Sequence, residues 1–185
     1  MLKGAGHMTA TETANSPSRK TTRPKPRSVV GEVGGRKPGR TSAKLSYVQF
    51  FRASPIERIG IIKHGLLASE AKQILGDLTV TQAVAMRALN IAPATMNRKA
   101  KGEDRLPPAE SERVLGVARL VGQVQAIVEE SGNPQGFDAA AWTSRWLSEP
   151  VAALGGVRPF DLMDTMEGQN LVSNTLAQVQ SGAYA

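Results

Sequence analysis

Thr95, Asn97, Arg98, Lys99 and Lys101 gather cationic and amide chemistry into seven consecutive residues that contain no acid. Arg and Asn can pair bidentately with guanine and adenine edges, whereas Lys and Thr commonly meet phosphates. The cluster therefore has the chemistry of a DNA-binding face, and Arg105 extends its basic character. Catalytic chemistry is scarce by contrast. The chain has no cysteine, and its two histidines, His7 and His64, lie far apart. That removes a thiolate nucleophile and makes a His-based metal site improbable. Gly31-Glu-Val-Gly34-Gly35 is too short to cradle a phosphate. No catalytic residue, cofactor or metal is expected.

A DNA-reading cluster needs a rigid support, and Thr81–Lys99 fits a helix-turn-helix. Its first helix is Gln82–Leu89, its turn is Asn90-Ile91-Ala92, and Pro93 opens the second helix. Ala85 supplies the small residue where the helices cross. Asn90 tolerates a left-handed backbone. Ile91 anchors the turn, and Met96 faces the core. A plain helical hairpin within a bundle has the same pattern and stays open at this point.

The rest of the chain beyond residue 45 also reads as helix, which makes the predicted fold all-α. Ser54-Pro-Ile-Glu57 is a capping box with proline at N1. Ile56, Ile59 and Ile61 or Ile62 follow at near-helical spacing. A helix over Ser69–Leu75 should stop at Gly76, and Val84 joins the apolar residues of the next one. The longest helix opens at Leu106-Pro107-Pro108, with Glu110 and Glu112 suited to its N-terminal dipole. Val114, Val117, Val121, Val124 and Val128 form its stripe, wide enough for both an internal core and a dimer contact. Phe137–Leu147 carries Trp142 and Trp146 on one face, read as mainly structural. Short turns over Pro150–Leu154 and Pro159–Met163 precede a last helix, capped by Thr165 and running to Val179.

Charge divides the chain. The net charge is +7, but residues 1–52 hold 11 Lys or Arg against Glu12 and Glu32, whereas residues 120–185 hold only Arg145 and Arg158 against 7 acids. Three segments follow. Residues 1–44 are a disordered basic tail, of which 1–8 read as a cloning junction. Residues 45–130 are a helix-turn-helix domain, and residues 131–185 a small acidic helical domain. The tail is too rich in Thr, Ser, Pro and Gly to offset its ordering entropy. No segment is apolar enough to span a membrane and no secretory signal opens the chain, so a cytoplasmic location is expected.

Several motifs occur together. Leu89-Asn-Ile is followed by Pro93-Ala-Thr-Met96 and Arg98-Lys99, then by Leu106-Pro-Pro-Ala-Glu-Ser-Glu-Arg113. Further on come Ala141-Trp142, Trp146-Leu147, Leu154-Gly-Gly-x-Arg158-Pro-Phe-Asp-Leu162, Glu167-Gly168 and a late Gly182. In this order they resemble the Xre/MbcA/ParS-like antitoxins, encoded beside RES-domain toxins, over residues 55–185. Asn90 stands where that family usually has a turn glycine. The resemblance implies a toxin-binding C-terminal domain following the Xre-like domain. It also implies a toxin related in fold to ADP-ribosyltransferases that depletes NAD, and a complex that represses its own operon. The expected partners are a RES-domain toxin, operator DNA and a second copy of the chain, because one recognition helix reads only a few base pairs. Arg158 and the segment Gly182, Ala183, Tyr184 and Ala185 are the toxin-binding candidates, the latter as a plug for an NAD pocket. The competing reading is a stand-alone helix-turn-helix regulator whose C-terminal domain dimerises or binds a ligand. An enzyme of NAD metabolism is a remote third.

Overall fold

A computed structural model describes residues 46–132 and 134–180, which form helices joined by turns. The basic tail and the segment Gly182–Ala185 lie outside the described residues. The order is α1 (Tyr47–Arg52), α2 (Pro55–His64), α3 (Ala68–Gly76), α4 (Gln82–Ala88), α5 (Pro93–Lys101), α6 (Pro108–Glu130) and α7 (Ala139–Ser148). Two 3-10 turns, Ala152–Leu154 and Pro159–Leu162, then lead into α8 (Met166–Gln180).

Local signals place most boundaries. The Ser54 hydroxyl accepts from the Glu57 amide at 3.3 Å, and the Glu57 carboxylate accepts from the Ser54 amide at 2.7 Å, closing the capping box. These bonds hold the Glu57 carboxyl below its usual pKa. Thr81 caps α4 through a bond from the Val84 amide, and Thr165 caps α8 through one from the Gly168 amide. Pro93 and Pro108 sit at helix starts, where a missing N–H costs nothing.

Helix α6 is the spine. Its 23 residues extend about 35 Å at 1.5 Å per residue. Val114, Leu115, Val117, Ala118, Leu120, Val121 and Val124 are all buried, so apolar side chains surround the helix rather than lining one face. Helices α1, α2, α3, α7 and α8 pack against it. Two glycines allow the closest approaches. A Cβ on Gly122 would fall 2.0 Å from the Tyr47 carbonyl oxygen, where α1 crosses; one on Gly116 would overlap the Gln169 side chain of α8. A single buried cluster runs from Leu66 to Leu176.

Three expectations change. Helix α2 buries none of its residues fully, because it packs mainly on α6 alone and its outer face stays exposed. Gly76 lies inside α3 rather than beyond it. Its missing side chain makes room for Gln82, whose amide donates to the Lys72 carbonyl at 2.9 Å. Val84 faces outward at 47% exposure. The valine stripe of α6 is taken up within the chain, with only Val128 half-buried.

Candidate nucleic-acid interface and the C-terminal region

Helices α4 and α5 build the candidate interface. Asn90 adopts φ 51°, the left-handed geometry expected of it. The Ile91 amide then donates back to the Met86 carbonyl at 2.8 Å, tightening the turn. Ala85, Met86, Leu89, Ile91 and Met96 are buried beneath it. With Met96 fixed inward, helical geometry decides the opposite face. Ala94, Asn97, Arg98 and Lys101 are exposed, at spacings of three and four that bring them onto one surface.

Thr95 and Lys99 are half-buried at the edge of that surface. The Lys99 ammonium donates to the Arg105 carbonyl at 3.1 Å, and the Arg105 guanidinium donates to the Gly65 carbonyl at 2.6 Å. Both brace the end of α5 against the α2–α3 corner. Asn97, Arg98 and Lys101 are thus the side chains of the cluster turned outward, while Thr95 and Lys99 flank them. Sequence reasoning grouped all five, because spacing alone does not reveal which carbonyls lie nearby.

Side-chain bonds tie the C-terminal region to the rest of the fold. Asp138 caps α7, accepting from the Ala141 amide at 2.9 Å. The Ser144 hydroxyl of α7 accepts from the Thr79 amide at 3.1 Å and the Val80 amide at 3.3 Å, just before α4 begins. The buried Gln123 side chain of α6 exchanges two bonds with Ser173 of α8, at 2.7 and 3.1 Å. Sequence spacing anticipates none of these bonds; only Asp138 leaves a local trace, as an N-cap residue before an alanine run. Trp142 and Trp146 stack at 6.3 Å between ring centroids and lie half-buried against the core.

The Leu154-Gly-Gly-x-Arg158-Pro-Phe motif forms a compact turn. Gly155 and Gly156 take φ of 67° and 83°, which other residues adopt only with strain. The turn closes with Val151 donating to Val157 at 3.2 Å and Gly156 to Val151 at 3.0 Å. Phe160 is buried and anchors the segment. Arg158 stays at the surface, where Asp161 holds its guanidinium through two bonds of 3.0 and 3.1 Å. Its charge is thereby paired within the chain.

Among the described residues no cluster of His, Cys, Asp and Glu could hold a metal ion. No described helix is long and apolar enough to cross a membrane.

Comparison with known proteins joins the two regions. Residues 57–119 match the antitoxin Xre-like helix-turn-helix domain, and residues 125–182 match the antitoxin Xre/MbcA/ParS C-terminal toxin-binding domain. The chain is 52% identical over 155 residues to the "Prs ADP-ribosylating antitoxin" of Sphingobium sp. (strain YBL2), covering 83% of this chain and 98% of that one. It is 29% identical over 107 residues to the antitoxin Xre of Yersinia enterocolitica, covering 58% of this chain and 67% of that one. The antitoxin Xre of Pseudomonas putida is 25% identical over 88 residues, covering 48% and 50%. A helix-turn-helix with an outward cationic face, followed by a matching toxin-binding region, places this chain in the Xre/MbcA/ParS family of antitoxins.

Proposed function

We propose that the chain neutralises a RES-domain toxin and, with or without that toxin, binds its own operator DNA as a dimer. Residues 45–130 read the DNA and residues 131–185 hold the toxin. Asn97 and Arg98 meet base edges, while Thr95, Lys99 and Lys101 meet phosphates. Arg158 and Gly182–Ala185 contact the toxin, with the aromatic ring of Tyr184 suited to a pocket that binds NAD. The chain itself performs no catalysis.

The observation that carries this reading is the 52% identity with an antitoxin across nearly its whole length. The name of that relative couples the antitoxin to ADP-ribosylation of Prs. ADP-ribosylation draws its ADP-ribose from NAD, so the relative and a RES-class partner meet in one chemistry. The toxin-binding match over residues 125–182 favours an antitoxin over a stand-alone regulator.

Mixing the full chain with the product of the neighbouring gene should give a stable complex. It should also abolish both NAD loss and transfer of ADP-ribose to protein. Removing residues 183–185 should leave folding and DNA binding unchanged but restore NAD consumption. Full inhibition by the shortened chain would assign neutralisation to the body of the C-terminal region. No complex at all would sink the toxin reading.

A further inference from the structure

Helix α2 carries isoleucines at 56, 59, 61 and 62 and buries none of them fully. Ile56 is 77% exposed and Ile59 45%, while Met166, at the start of α8, is 42% exposed. Ile59 and Met166 line a common groove of about 220 Å³, floored by Leu115, Gly116 and Arg119 of α6. Single apolar side chains on a surface need no explanation, but a patch on two adjoining helices does. The Arg119 Nε beneath it is buried without a hydrogen-bond partner among the described residues.

Gly60 adds an independent observation. It sits in the middle of α2, exposed, and a Cβ there would meet nothing within 4 Å. Glycine is disfavoured inside a helix relative to alanine. The fold of one chain gives no reason for it, whereas close approach by another body does. The charges on the helix suggest which body. Glu57 lies near the N-terminal end of α2 and Lys63 near the C-terminal end, both exposed. A two-fold contact must be self-complementary. Two antiparallel copies of α2 would set each Glu57 against the other copy's Lys63.

We propose that this face is a two-fold contact between two copies of the chain, with antiparallel α2 helices crossing at Gly60 and the Ile56 and Ile59 side chains of each copy covering the groove beside Met166 of the other. The proposal rests on the dimeric reading given above. It moves the contact away from the Val114–Val128 stripe, which the internal core uses.

The test measures the mass of the full chain at micromolar concentration by light scattering, alongside Ile56→Glu and Gly60→Arg. Both positions are exposed, so helical content and melting temperature should match the parent. The parent should be a dimer, and each variant should weaken self-association by roughly tenfold or more. A dimeric parent with equally dimeric variants would overturn this contact while sparing the dimeric reading. A monomeric parent would overturn both. A monomeric parent whose variants lose toxin binding would assign the face to the toxin.

Discussion

Helix α5 and the turn around residues 155–161 both present arginine to solvent, but on different terms. Arg98 projects from a helix with three basic residues in its last turn and no acid in its first. Arg158 is clasped by Asp161 in a two-bond pair. A cation that is to meet phosphate or guanine gains most when its charge is not already answered, and its binding then falls steeply with salt. A paired cation presents little net charge and a fixed shape. On the proposed function, α5 is then the salt-sensitive face and the C-terminal region the shape-dependent one. Met96 beneath α5 and Phe160 beneath the turn belong to one buried cluster, so the two faces share one core.

The harshest test removes that common support. Leu115→Ala should cost about 2–5 kcal/mol, read by urea unfolding, and should weaken DNA and toxin binding together. Loss of only one activity would mean that the two regions are stable independently. Arg98→Ala cuts more selectively. It should weaken operator binding by about 1–3 kcal/mol while leaving melting temperature and toxin binding unchanged; loss of both bindings would mean that the surfaces are misassigned.

Deleting residues 9–44 sharpens the salt contrast. That segment holds 9 Lys or Arg. Each phosphate that the shortened chain leaves unneutralised should lower the slope of log K against log salt by about 0.9. The preference for operator over random DNA should barely change. An unaltered slope would assign the tail to solubility or another partner.

The smallest effect is expected at Glu57. Bonds from Ser54 hold its carboxyl below the ordinary value of 4.5 in the folded chain, so the charged form is favoured by folding. Its contribution is therefore present above the unfolded value and is lost as pH falls through the folded one. Glu57→Ala should lower the melting temperature slightly at neutral pH, and the difference should shrink in acid. A difference that persists in strong acid would argue against the capping bond as its source.

The cluster at residues 95–101 was legible because a helix repeats every three to four residues and Met96 declares the inner face. Which of its members stay free was not legible. Lys99 is engaged by a carbonyl six residues away, and Arg105 by one 40 residues away. The C-terminal turn was recognisable from its glycines, but the Arg158–Asp161 clasp depends on how the following 3-10 turn folds back.

What the sequence determined by itself is the set of local choices. Ser54 with Glu57, Thr81, Pro93 and Thr165 mark helix starts, and Asn90 marks the left-handed turn. Each needs only neighbours within about one helical turn. Tertiary structure decided which apolar faces are used. Ile56, Ile59 and Val84 are as hydrophobic as the valines of α6, yet they remain outside. Burial depends on what distant segments bring to a surface: α6 is met by α1, α2, α3, α7 and α8, whereas α2 itself packs mainly on α6 alone. The same arrival of remote backbone explains Gly116 and Gly122, whose missing side chains make room for Gln169 and for the Tyr47 carbonyl.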